Sequence, residues 1–213
     1  MTLFEFESYK GTLDPQYFFE FEADIYELKK HGSLSDVQKY VLPSLSKLWN
    51  EEQFATVSMG WSANSLSFLV DVKNDEVKPS YPDIQKGDSI ELFIDTRNLK
   101  NSKLVHRFCH HFYFLPARID GVMSKEITRF HGDDKHTLCN QDDIEVVVKI
   151  RKNGYVSEIT IPDSALFGFQ PDEVKELGFS YRINRFNGFC QQFTPHKRIE
   201  EHPYLWATVK LIP

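Results

Sequence analysis

The chain has 213 residues, 41% of them hydrophobic, and its 18 Phe and 9 Tyr supply enough apolar area for a sizeable core. Its 31 acidic residues against 25 Lys and Arg give a formal charge of −6. This balance argues against nucleic-acid binding and against electrostatic attachment to a membrane, because both classes usually carry a basic excess. We therefore predict neither a nucleic-acid partner nor a membrane partner.

The cysteines are too few for a disulfide framework, and no C-x-x-C pair is present among Cys109, Cys139 and Cys190. One bridge with one free thiol remains open, and a reducing compartment is the simpler interpretation. The N-terminal residues lack the pattern of a signal peptide, and no apolar run approaches the ~18 residues of a spanning helix. We expect a cytoplasmic protein.

Alternation of apolar and polar residues with a period of two dominates the sequence and predicts strands. In chain order, the predicted strands cover residues 19–25, 65–72, 89–95, 108–115, 144–150, 155–161, 179–184 and 206–211. Turn signals separate several of them, including Asn64 and the Asn153-Gly154 pair. One helical spacing occurs, at Leu34, Val37 and Val41.

About ten short strands without an internal repeat or a linker predict an all-β fold, an antiparallel β-sandwich of jelly-roll type with little helix. We expect residues 1–213 to form a single domain, with the first ~50 residues as an edge extension of the sandwich.

Strand alternation also sorts polar side chains by face. If Ile90, Leu92 and Ile94 face the core, Glu91 points the opposite way. On the next strand, one face carries Arg107, Cys109, His111 and Tyr113, and the other carries Phe108, His110, Phe112 and Phe114 and resembles core. Glu91 and Arg107 are thereby predicted on one face, either orienting a ligand or forming a solvated cross-strand ion pair.

Three blocks of sequence resemble family 9 carbohydrate-binding modules and their DOMON-like relatives. They are GWSANSLSFLVDVKND (60–75), GDSIELFIDTRN (87–98) and GYVSEITIPDSALFG (154–168), the last followed by LGFSYRINRF and LWATVKL. The resemblance covers 54–213. It implies an antiparallel β-sandwich that binds sugar without catalysis, with two Trp clamping the sugar, polar residues of one sheet face binding its hydroxyls, and structural calcium in some members.

On this resemblance, Trp61 and Trp206 are the predicted clamp, since a pyranose packs its C–H face on aromatic rings. The predicted polar contacts are Glu91, Arg107, His111, Tyr113 and Arg182. A different function stays open, a protein-interaction domain that keeps the sandwich without a sugar site. Solvent-facing Trp rings over a polar floor would favour sugar binding, and burial of both rings would favour the interaction domain.

The histidines raise a third hypothesis, a metal-dependent enzyme. It requires at least three of six side chains to converge, namely His106, His110, His111, His131, His136 and Cys139. On an extended strand His106 and His110 lie about 13 Å apart, too far to share one ion. Carboxylates near strand ends also allow structural calcium, at Asp71, Asp75, Asp95, Asp142 and Asp143, although a solvated acidic loop is simpler. No catalytic motif is present, so we predict a protein without catalytic activity and without a cofactor.

Overall fold

The computed structural model describes residues 20–29, 33–34, 38–46, 52–194 and 197–213. Their strands are β1 (Glu22–Glu27), β2 (Ala55–Ser62), β3 (Ser65–Lys73), β4 (Ser89–Asp95), β5 (Cys109–Ile119), β6 (Val122–Glu126), β7 (Glu145–Arg151), β8 (Gly154–Pro162), β9 (Glu176–Asn184), β10 (Cys190–Gln192) and β11 (Ala207–Ile212). The 3₁₀ turns are Gln38–Tyr40, Ile84–Lys86, Gln141–Asp143, Asp163–Ala165, Ile199–Glu201 and Pro203–Leu205. In the described part of the chain, no helix has the length and apolarity needed to cross a membrane.

The strands form one continuous sheet in the order β6-β5-β4-β9-β11-β1-β2-β3-β8-β7, with β10 paired to β9. Every pairing is antiparallel except those of β1, which runs parallel to both β11 and β2. The prediction of a wholly antiparallel sandwich is therefore wrong in this respect, and the sheet is mixed. The period-two pattern fixes which side chains point inward but carries no information on the direction of the neighbouring strand.

The two halves of the sheet pack face to face around one main core. The ring of Phe68 on β3 stacks on that of Phe179 on β9, with centroids 5.7 Å apart. The predicted inward set on β3 is fully buried, at 0–1% exposure for Leu66, Phe68, Val70 and Val72. On β7 the alternation holds through Val148, but Ile150 is 58% exposed because the end of this strand extends beyond the core.

Two of the turns predicted from the sequence connect neighbouring strands in the structure. Ser62 and Ser65 bound the predicted turn at Asn64. The turn between β7 and β8 is Lys152–Asn153, one position earlier than predicted, and Gly154 opens β8 at φ +130°. A Cβ there would lie 1.8 Å from the Val72 carbonyl oxygen, which explains the glycine.

The predicted helix is only partly within the described residues. Val37 lies outside them, as does Phe19 at the start of the first predicted strand. The described part is the 3₁₀ turn Gln38–Tyr40, after which Val41 makes an isolated bridge to Ser58 of β2.

Candidate functional site

The outer face of the β4–β5–β9 segment, opposite the main core, carries a row of polar side chains. Glu91 on β4 is in register with Tyr113 on β5 and with Arg182 on β9. Directly opposed residues in a sheet point to the same side. The adjacent positions Leu92, Phe112 and Tyr181 belong to the main core, so Glu91 and its partners face away from it. This outer face is the candidate site.

Glu91 is the centre of a buried hydrogen-bond network. The Arg182 guanidinium donates from Nε to Glu91 Oε1 at 2.7 Å and from Nη2 to Oε2 at 2.8 Å. Asn184 Nδ2 donates to Oε1 at 2.8 Å, and His111 Nε2 lies 2.9 Å from Oε2. Such a two-point arginine–carboxylate contact fixes both groups in orientation as well as in distance.

The charge on Glu91 is stabilised although the side chain is fully buried. Burial by itself would raise the pKa of the carboxyl, but hydrogen bonds from His111 and Arg182 and their positive charges lower it to about 2. Burial alone would lower the pKa of Arg182, but its hydrogen bonds to Glu91 and Glu200 and their negative charges raise it. The pair therefore stays ionised throughout the physiological range.

The network reaches solvent only at its margin. Arg182 is 6% exposed and His111 is 8% exposed. Arg182 Nη1 also donates to Glu200 Oε2 at 3.1 Å, and the Glu200 side chain is 27% exposed. Tyr81, whose ring centroid is 6.3 Å from that of Tyr113, is partly exposed as well. We call Glu91, His111, Arg182 and Asn184 the polar floor, and Glu200 and Tyr81 its rim.

The predicted clamp of Trp61 and Trp206 is not formed. The two residues are 5% and 2% exposed. The indole of Trp61 donates to the Ile212 carbonyl at the end of β11. Trp206 directly precedes β11, and its indole donates to the Ile199 carbonyl in an earlier 3₁₀ turn. Since β11 separates them, the rings are roughly 20 Å apart at ~3.3 Å per residue, too far to hold one sugar ring between them. Each Trp is a core residue here.

Two other predicted contacts lie outside the polar floor. Arg107 is exposed and pairs with Asp134, so the predicted Glu91–Arg107 pair is wrong. The strand alternation does not extend back to Arg107, because the Cys109 amide donates to the His106 carbonyl in a turn that leads into β5. Tyr113 is 2% exposed and packs in a small apolar cluster with Ile84 and Leu115.

Asn184, Tyr81 and Glu200 belong to this site but were not among the predicted contacts, and Glu200 is the hardest of the three to find from the sequence. It lies in a 3₁₀ turn, 18 residues after Arg182, and no periodicity connects the two. Of the predicted polar set, the structure thus brings together Glu91, His111 and Arg182.

The histidines separate into different environments. His110 and His136 converge on Glu126, whereas His106 approaches Asp95 and Cys109. His111 belongs to the polar floor, and His131 is exposed. Two of the six predicted side chains, His110 and His136, therefore meet at a third ligand group, Glu126, which was not singled out from the sequence. The Cys139 side chain also hydrogen-bonds to Glu126.

Two of the carboxylates predicted for calcium, Asp71 and Asp95, have partners within the protein. Asp71 pairs with Arg151 at 2.8 Å. Asp95 accepts the amide hydrogens of Arg97 and Leu99 at 2.9 and 2.6 Å, which holds the turn after β4. Among the described residues, no cluster of three potential metal ligands contains two of the five predicted carboxylates.

Two solved structures are similar to this fold. One is a carbohydrate binding module family 9 from Caldicellulosiruptor kristjanssonii in complex with cellotriose, at 15% identity and a TM-score of 0.66, covering 90% of this chain and 93% of that chain. The other is a family 9 module from the same organism in complex with glucose, at 14% identity and a TM-score of 0.60, covering 88% and 95%. At these identities the likeness shows a shared fold.

A comparison with curated protein sequences finds no match. The family model described as carbohydrate family 9 binding domain-like matches residues 33–194, about three quarters of the sequence. The match includes β2 to β10 and most of the polar floor and its rim, although Glu200 lies beyond it. The chain therefore belongs to the carbohydrate family 9 binding domain-like family.

Proposed function

We propose that this protein binds a carbohydrate, without catalysis, at the polar floor on the outer face of β4, β5 and β9. The observation that carries the proposal is the network around Glu91, in which Arg182 and His111 hold one ionised carboxylate in place. Membership of the family supports it, as do the sugar complexes of the two similar structures.

The polar floor has the chemistry that sugar hydroxyls require. A hydroxyl both donates and accepts, so it can bridge a carboxylate oxygen and a guanidinium N–H. The groups of the floor already hold one another in fixed positions, and binding then requires little ordering of side chains. At the rim, Glu200 adds a partly exposed carboxylate that already accepts a hydrogen bond from Arg182.

The aromatic contribution is assigned to Tyr81 rather than to tryptophan. Trp61 and Trp206 are buried. Tyr81 is partly exposed, and its ring lies beside that of Tyr113, which is directly opposite Glu91 in the sheet. An aromatic ring at the edge of a polar floor gives a C–H face of a sugar a surface to pack against.

Protein interaction is the second candidate function. Burial of both Trp rings favours it by the criterion set from the sequence. The strand β7, at one end of the strand order, exposes 54% of Val147 and 58% of Ile150. Exposed apolar side chains on an edge strand are a surface on which a partner strand can pair.

A glycan array tests the first proposal and separates it from the second. We expect the purified protein to bind cello-oligosaccharides, and the array is repeated with calcium and with a chelator. Tyr81→Leu keeps the apolar packing but removes the ring, so binding should fall. Phe189→Leu changes an exposed aromatic residue outside the polar floor and its rim, so this variant should bind normally. A blank array with folded protein would contradict sugar binding and make a pull-down with Val147→Asp as control the next experiment.

A further inference from the structure

A second carboxylate, Glu126, lies among histidines on the other side of β5. Its Oε1 atom is 2.9 Å from His110 Nδ1 and 2.9 Å from His136 Nε2. The side chains of His110, Glu126 and His136 are 0%, 0% and 2% exposed. We call these three residues the His–Glu–His cluster. It lies outside the polar floor, and the proposed carbohydrate binding does not use it.

Each of the two histidines has one ring nitrogen facing Glu126 and the other facing a backbone carbonyl, and these carbonyls determine where the hydrogens lie. His136 Nδ1 is 2.6 Å from the Arg107 carbonyl oxygen, and His110 Nε2 is 3.3 Å from the Phe167 carbonyl oxygen. A carbonyl oxygen only accepts, so both of these nitrogens must carry hydrogen. In a neutral imidazole the other nitrogen is then a bare lone pair. Both bare nitrogens point at the same carboxylate oxygen.

This arrangement requires positive charge between the nitrogens and Glu126. Lone pairs facing one another at 2.9 Å repel, and Glu126 Oε1 already accepts a hydrogen bond from Thr128 Oγ1 at 2.8 Å. A single added proton would satisfy only one of the two histidines. Two added protons would make two imidazolium rings whose centroids are 4.3 Å apart in a buried site, where like charges repel strongly. One divalent cation satisfies both lone pairs and the carboxylate together.

The surroundings match those of a metal site. Metal-bound histidines usually donate their second N–H to a carbonyl or carboxylate, as both rings do here. The other oxygen of Glu126 accepts the Cys139 amide hydrogen at 2.8 Å, which fixes the carboxylate. A cleft of about 350 Å³, lined by His136, Cys139 and Phe167 among others, lies beside the cluster.

The cluster of Asp95, His106 and Cys109 provides the contrast. His106 Nδ1 accepts the Phe108 amide hydrogen at 3.3 Å, so Nε2 carries the hydrogen and points toward Asp95 Oδ2 at 3.6 Å. The hydrogen on Nε2 also faces Cys109 Sγ at 3.4 Å, so neither nitrogen of this ring directs a bare lone pair at a carboxylate. Burial also raises the pKa of the Cys109 thiol, which keeps it protonated and a poor ligand.

We propose that His110 Nδ1, the Glu126 carboxylate and His136 Nε2 bind one divalent transition-metal ion. Two imidazoles and one carboxylate are a ligand set that suits Zn²⁺ and Fe²⁺. Calcium prefers ligand sets made of oxygen atoms alone, so this site does not suit it.

Titration of the chelator-treated full-length protein with Zn²⁺ tests this proposal by calorimetry, followed by metal analysis after dialysis. We expect one ion per chain. His136→Ala removes a ligand, and since loss of an outer partner alone weakens metal sites 10–100-fold, affinity should fall by about 100-fold or more. The matched variant His106→Ala should still bind one ion. Equal loss in both variants, or no stoichiometric binding by the wild type, would overturn the proposal.

An NMR titration of the wild-type protein tests the same site without any variant that could misfold. Zn²⁺ binding should shift the imidazole ¹⁵N signals of His110 and His136 and leave that of His106 in place. Unchanged signals for His110 and His136 at saturating Zn²⁺ would count against the site whatever the variants do.

Discussion

Glu91 and Glu126 are both fully buried carboxylates beside β5, but they are neutralised in different ways. The donors to Glu91 include Arg182 and Asn184, whose hydrogens are present at every relevant pH. The main partners of Glu126 are two histidines, whose hydrogens depend on protonation. The first carboxylate is complete as a unit, whereas the second needs an added cation. The side chains of the polar floor thus hold one another in place without a ligand, whereas the His–Glu–His cluster is a binding site for a cation.

The two sites also differ in how far their partners lie along the chain. Arg182 is 91 residues from Glu91, so that network joins strands that are distant in sequence. His110 and His136 are 16 and 10 residues from Glu126, within one hairpin and the loop after it. Damage at Glu91 should therefore affect the whole fold, and damage at the His–Glu–His cluster should remain local.

The largest expected effect is that of Glu91→Ala. Removing Glu91 breaks a buried ion pair and leaves Arg182 with only the partly exposed Glu200 as a charged partner, which costs about 3–5 kcal/mol of unfolding free energy. Urea denaturation measures the loss. The exposed pair of Lys149 and Glu158 is the control, because Lys149→Ala should cost less than about 1 kcal/mol. Similar losses in the two variants would erase the distinction between a buried network and a surface pair.

The next effect is acid sensitivity. The pKa of Glu91 is lowered from an ordinary 4.5 to about 2, so its contribution is complete above pH 4.5 and is lost as the pH falls toward 2. A shift of this size corresponds to a loss on the order of 3 kcal/mol. Thermal unfolding between pH 6 and pH 2 measures it, with Glu91→Gln as comparison. The variant should start less stable and lose less on acidification, and equal slopes would contradict the assignment.

Zinc binding at the His–Glu–His cluster should stabilise the folded protein. At a free concentration 100 times the dissociation constant, a bound ion adds about 2.7 kcal/mol to the folded state. For a chain of this size the melting temperature should rise by roughly 5–10 °C. Scanning calorimetry with and without Zn²⁺ measures the rise. Glu200→Ala, at the rim of the polar floor, should retain it and His136→Ala should lose it, so an equal rise in both would place the ion elsewhere.

The sequence predicts the inward faces of the strands well because alternation depends only on local geometry. Ile90, Leu92 and Ile94 are core as predicted, and Glu91 points the other way. Burial by distant segments is not local, which is why the Trp residues were misjudged. Trp61 does lie beside a turn at a strand end, but β11, distant in sequence, buries it, and its indole donates to the Ile212 carbonyl of that strand.

Glu126 was missed because β6 was not among the predicted strands. The signal was present in Asp120-Gly121, a pair typical of tight hairpins, and both residues have positive φ, at 50° and 81°. A hairpin there would have paired the following residues with the strand that carries His110. The approach of His136 could not have been found this way, since it depends on a loop whose path no periodicity specifies.

The smallest effect we predict tests the surface of the polar floor rather than its interior. Glu200 is 27% exposed and accepts from Arg182, so it can contact a sugar without supporting the core. A partly solvated hydrogen bond to a charged group is worth about 1 kcal/mol, and Glu200→Ala should weaken binding of the array-selected glycan several-fold by calorimetry. The neighbouring Glu201→Ala removes a carboxylate that pairs with Arg198 instead and should bind as the wild type does. If both variants bind equally well, the ligand does not reach this side of Arg182, and the site must be approached from His111.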